Sequence, residues 1–276
     1  MSLFHSHVPL NVPRDMRNSA FVVLLTVMFW VFFSNARQGC ALLYARRHTR
    51  GTRLLVPVLN IIPNVIGGVI CFYVEIQRAW PGFANCDTIL ALDATAISFG
   101  TASIAAILFI RVYYAWMRHK WLLQLGGVLI FATFFVGVSG FFTLSIYMDK
   151  NGSCLVKMDA YWTLAKFVVD IVTNITLSGL YLYVVSRALR GGFSTALYVE
   201  LRQEGLVSAF FVVLSAIITA VAVLLDLIPE NSTYVYGVDL LVSATLVNRM
   251  LCRHRNSSSH MRTAGQLQFR RAEYTR

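Results

Sequence analysis

The sequence predicts an all-α membrane protein, a bundle of seven transmembrane helices with its N-terminus outside and its C-terminus cytosolic. Three observations carry that expectation. First, seven apolar stretches of spanning length follow one another. Second, 57% of the 276 residues are hydrophobic and only 13% are charged, against roughly a quarter charged in an ordinary soluble domain. The mean hydropathy is +0.62. Third, the basic residues gather in alternate joints, as they do when one face of a membrane protein is cytosolic.

The stretches run over 19–44, 54–78, 86–117, 121–147, 161–189, 205–228 and 234–252. Each is read as helix, because a lone strand would leave its backbone unpaired in lipid. The first begins near Ser19 and is too long for the core of a cleavable signal, so it is read as a retained span. The joints carry turn and loop residues: RRHTRGTR, WPGFAN, RHK, DKNGS, RGG and PENS. No internal repeat is evident, which disfavours transporter folds built from repeats. The chain therefore divides into an extracellular segment (1–18), the seven-helix domain (19–252) and a basic cytoplasmic tail (253–276).

Orientation follows from Lys and Arg. With the N-terminus outside, the inner joints and tail receive seventeen of them and the outer side five. Two sequons, at Asn151 and Asn231, then fall in outer loops as candidate glycosylation sites. The net charge of +11 is read as cytosolic loop charge facing the bilayer rather than as a nucleic-acid surface. A multi-pass plasma-membrane protein is the expected location.

Of the five cysteines, Cys40 and Cys71 lie within spans and read as small packing residues. Cys86 opens the third span, and Cys154 lies in the outer loop before the fifth. These two can bridge in an oxidising compartment, or stand as two free thiols. Cys252 follows the last span beside basic residues and reads either as a lipidation site or as an unmodified thiol. All six histidines fall outside the spans, and no HExxH is present. Intramembrane haem ligation and zinc hydrolysis therefore lack their ligands. The last span has no lysine for a retinal Schiff base. No cofactor, no metal and no enzymatic activity are expected.

Charges inside spans are costly and become candidates for function. They are Arg37, Glu75, Asp93, Lys166, Asp170, Asp226 and Asp239, and all but Arg37 fall in the outer halves. This suggests a polar, net negative cavity open to the outside. Lys166, Asp170 and Asn174 recur at i, i+4 and i+8 on one helix face. Lys166 and Asp170 can neutralise each other, or Lys166 can reach Asp93 across the bundle. Arg111, in FIRVYYAW at the inner end of the third span, can snorkel or can latch the third helix to the sixth.

Taken together, these residues resemble the rhodopsin-like G-protein-coupled receptors. That family opens its third helix with a Cys bridged to the second outer loop, and the resemblance implies a Cys86–Cys154 bond. Its amine-binding branch has an Asp seven residues after the Cys that pairs with the ligand's ammonium, as Asp93 stands here. An Arg follows the Cys by twenty-five residues at the cytosolic end, as Arg111 does. WPGFANCD and CDxxLALD are similar to the corresponding receptor segments. The sequence departs from the family at Ile110 and Val112, which flank the Arg. It also has no mid-membrane Asp in the second span, no C-W-x-P in the sixth, and VNRML in place of N-P-x-x-Y.

The resemblance implies an extracellular small-molecule ligand, a cationic one on Asp93, and a heterotrimeric G protein as cytosolic partner. Lys166, Asp170, Asn174 and Asp239 are expected to line the ligand cavity. The competing reading is a small transporter or channel for a cation or proton. It requires a route to the inner side, where spans two, four and six read as apolar. A structural or assembly role without a small ligand is the third reading.

Overall fold

The computed structural model describes residues 14–47, 52–80, 85–116, 119–148, 154–190, 195–225 and 235–252. Seven helices within them are long and apolar enough to cross a membrane. They are α1 (Arg14–Ala45), α2 (Thr52–Ala79), α3 (Cys86–Ala115), α4 (Lys120–Thr143), α5 (Ala160–Arg190), α6 (Thr195–Leu224) and α7 (Val235–Cys252). The sequons at Asn151 and Asn231, the intramembrane candidate Asp226 and the tail 253–276 lie outside the described residues.

Two departures from uniform helix matter. Residues 145–147, expected to end the fourth span, instead belong to strand β1 (Ser145–Met148). It pairs antiparallel with β2 (Cys154–Lys157), Met148 opposite Cys154. Leu144, in extended conformation, ends α4. Alternating SIYM suits a strand beyond the hydrocarbon better than a further helical turn. Cys154 is bonded to Cys86 at a Cα–Cα distance of 5.5 Å, within the ordinary range for a disulfide. The hairpin is thereby fixed to the first turn of α3. Asn85 caps that turn, its side chain accepting from the Asp87 amide at 3.0 Å.

The second departure lies within α3. Residues Ala96–Gly100 form a π turn, the kind of local widening often found at functional positions. The surrounding helices fit it closely. A Cβ on Gly137 of α4 would stand 2.5 Å from the Ser98 Cα, so only glycine lets these two backbones meet there. Gly100 itself faces Leu240 of α7.

In α2, Pro57 and Pro63 sit inside the helix, where proline removes a backbone donor. Asn64 donates its side-chain amide to the Asn60 carbonyl at 2.7 Å, adding a donor in the turn that Pro63 disrupts. Leu25, Phe32, Val74, Ile107 and Ala244 pack α1, α2, α3 and α7 together. A second cluster, with Ile89, Val156, Trp162 and Tyr236, seats the hairpin on α3, α5 and α7. Trp162 also donates to the Val136 carbonyl at 3.0 Å, tying α5 to α4. Outward residues such as Trp30, Phe131, Phe135 and Phe210 are exposed, as expected of surfaces that face acyl chains.

Candidate functional site

The carboxylates expected to line a cavity do so together. Asp93 of α3, Asp170 of α5 and Asp239 of α7 share one cavity, also walled by α1 and α2. It holds about 650 Å³ of unfilled space, its solvent-open part included. All three stand in the half of their helices nearer the disulfide: Asp93 is seven residues beyond Cys86, about 10 Å along the helix. The wall is otherwise mostly apolar, with Leu25, Met28, Phe32 and Ile97 among its members. The polar cavity expected from sequence is thus an apolar one with three acidic groups set into it.

Lys166 is fully buried and forms an ion pair with Asp170, its Nζ 2.6 Å from Oδ1. Its other bond goes to the Thr101 hydroxyl of α3 at 3.3 Å. Of the two partners that the sequence left open for Lys166, the structure selects Asp170 and not Asp93. The i, i+4 spacing explains this: the two groups share a helix face and meet without crossing the bundle. Asp239 is held differently, accepting from Ser215 of α6 at 2.6 Å. Asp93 is 8% exposed, and its carboxylate makes no hydrogen bond or ion pair among the described residues. With all three carboxylates ionised, the single ammonium leaves two negative charges uncompensated.

Asn174 lies one level deeper. It lines a chamber that shares Asp170, Asp239 and Thr101 with the first cavity and adds Thr133, Thr173 and Ser243. Glu75 stands apart from both, accepting from Thr26 of α1 at 2.8 Å.

Arg111 is found at the opposite end of α3. Its guanidinium donates to the Met250 sulfur of α7 at 2.6 Å and lies 5.7 Å from the Tyr181 ring of α5. It lines a third cavity, together with Gly205, Ser208 and Val212 of α6. Arg111 thus joins α3 to α5 and α7, and it faces α6 across this cavity.

Sequence reasoning missed a set of neutral groups toward that same end. Asn248 of α7 accepts from Asn60 of α2 at 2.9 Å. Its own amide donates to Asn35 at 3.0 Å and to Gln38 at 2.9 Å, both on α1. Asn35 donates on to Thr245 at 2.9 Å. Cys252, half-buried, approaches Gln38 Oε1 at 3.4 Å. The expectation that this half of the second span is apolar is corrected by Asn60 and Asn64, at 0% and 1% exposure. Neutral amides bear no charge to flag them, and asparagine inside a helix is cheap enough to pass unnoticed. Ser215, the partner of Asp239, gave no signal for the same reason. No protein-family model matches this chain, and no curated protein matches it either.

Proposed function

We propose that this protein is a receptor-like seven-helix protein of the plasma membrane, with its N-terminus outside, that binds a small cationic ligand in the carboxylate cavity. One observation carries the reading. Asp93 is nine-tenths buried in the cavity wall and unpartnered among the described residues, while the one ammonium nearby is already taken by Asp170. A buried carboxylate without a counter-charge costs several kcal/mol. A ligand ammonium entering the cavity supplies that charge, and the apolar wall accommodates the rest of a small organic cation. The disulfide-pinned hairpin packs against the same end of the bundle.

In this reading, occupation of the cavity is felt by α6 through Ser215 and Asp239. The Arg111 end carries the change to a cytosolic partner, for which the resemblance to rhodopsin-like receptors nominates a heterotrimeric G protein. Glycans on Asn151 and Asn231 and an acyl chain on Cys252 belong to the same proposal.

The test is a thermal-shift screen of the purified full chain against a panel of small primary, secondary and tertiary amines, with isosteric neutral compounds as controls. A ligand at a hundred times its dissociation constant stabilises by ~2.7 kcal/mol, which a melting curve resolves. An amine hit that Asp93→Asn abolishes supports the proposal. Hits that are indifferent to Asp93→Asn refute the site. Surface epitope tagging checks orientation: an N-terminal tag accessible only after permeabilisation overturns the receptor reading.

A further inference from the structure

The three cavities are not scattered. The first and second share Thr101, Asp170, Asp239 and Leu240, and the second and third share Ile104. Their walls on α3 run from Asp93 to Val112. That is 19 residues, or about 28 Å of helix, close to the ~30 Å thickness of the hydrocarbon layer. A string of cavities therefore accompanies α3 through nearly the whole membrane.

The upper two compartments are fitted for water. Ser243 is 7% exposed, lines the second chamber and makes no hydrogen bond among the described residues. Asp93 is in the same position in the first cavity. Buried polar groups in that state are normally met by ordered water. Thr101, Thr133, Thr173 and Asn174 line the same chamber. Below them the character changes. Ile104, 5% exposed, lines both the second and the third cavity, and the third is walled there by Leu177 and Val247, both buried, with Ser178 and Ser208 among its other members. An apolar neck of this kind shuts a water path by excluding water.

We propose that the bundle contains a proton path along α3, closed in this structure at the Ile104 neck. A proton is the fitting cargo. Single carboxylates spaced by hydroxyls suit transfer along hydrogen bonds. Only O–H bonds are broken and remade. A proton enters at a carboxylate of the first cavity and moves through the chamber; once the neck hydrates, it leaves past Arg111. The transmembrane proton gradient is the driving force. This activity does not rest on the receptor reading, because no ligand is needed to measure it.

The experiment reconstitutes the full chain in liposomes containing a pH-sensitive dye and imposes a potassium diffusion potential with valinomycin. N-methylglucamine is the only other cation. Ile104→Ser makes the neck polar; Val247→Thr does so without changing side-chain shape and guards against misfolding of the first variant. Both are first checked for a monodisperse gel-filtration profile and an intact disulfide. At least a tenfold rise in proton flux over the wild type is expected from one or both, returning to the wild-type level when Asp239→Asn is added. Flux at the level of empty liposomes in both well-folded variants overturns the proposal. A leak that Asp239→Asn leaves unchanged also overturns it, because the protons would then bypass the carboxylates.

Discussion

The two ends of the bundle use polar residues in opposite ways. Toward the disulfide, the carboxylates Asp93, Asp170 and Asp239 of α3, α5 and α7 border a cavity, with Lys166 paired to Asp170. Toward the other end, α1, α2 and α7 are joined by neutral amides that bond directly to one another: Asn35, Gln38, Asn60 and Asn248. The amides fill their space and hold helices; the carboxylates leave space and hold a field. A neutral amide bond in a membrane is worth roughly 0.6 kcal/mol on average. A charge in the same setting costs several unless it is matched. Residues of the first kind are affordable as glue, while those of the second need either a partner or a task. Lys166 and Asp170 have a partner. Asp93 does not have one among the described residues.

Substitutions that act on one end alone test this contrast. The disulfide and the Lys166–Asp170 pair are expected to give the largest effects, of similar size. Cys86→Ser with Cys154→Ser removes a cross-link between residues 68 apart, for which loop entropy gives about 4 kcal/mol. The measurement is the melting temperature of the purified double variant. A shift below a degree would mean that the hairpin is held in place without the bond.

Next comes Lys166→Met. It strands Asp170 and should cost about 3–5 kcal/mol, the range for removing one member of a buried pair. Adding Asp170→Leu should recover most of the loss. If the double variant is no better than the single, Lys166 has a second carboxylate partner and the assignment to Asp170 is incomplete.

At the other end, Asn248→Ala removes two accepted bonds, one of them the long contact from the Cys252 thiol, and two donated bonds and should cost about 1–2 kcal/mol. Its effect on amine binding should be negligible. Binding that collapses in a well-folded Asn248→Ala protein would show that the two ends are not separate.

The smallest effect on stability is expected from Asp93→Asn. With no intramolecular partner to lose, the variant should melt within about 1 kcal/mol of the wild type or above it, while losing amine binding. A strongly destabilised Asp93→Asn protein would mean that the carboxylate has a structural role.

The span boundaries were readable from sequence to within a few residues, because hydropathy over some twenty positions averages out local detail. Ser19–Ala45 and Leu54–Ala79 nearly coincide with the expected 19–44 and 54–78. The acidic site was readable for a related reason: intramembrane charge is rare, so Asp93, Asp170 and Asp239 stood out without any knowledge of packing. What they touch was not readable. Ser215 is one of several hydroxyls in α6, with Ser208 and Thr219, and nothing local distinguishes it from a residue facing lipid. The neutral amide network needs four residues from three helices to meet, which no local pattern encodes. The strand after α4 escaped because hydropathy cannot tell an apolar strand end from one more helical turn.

The π turn at Ala96–Gly100 has a consequence for phase. Asp93 and Arg111 are 18 residues apart, five full turns of a uniform α-helix, so spacing alone would set them on one side of α3. The wide turn absorbs one surplus residue and rotates everything beyond it by about 100°. Asp93 accordingly lines the cavity bordered by α1, α2, α5 and α7, and Arg111 the one bordered by α5, α6 and α7. The third helix behaves as a shaft with an offset cut into it, its two ends keyed to different neighbours. Rotation at the carboxylate end would reach the arginine end at that fixed offset, turned toward α6, which does not line the cavity of Asp93.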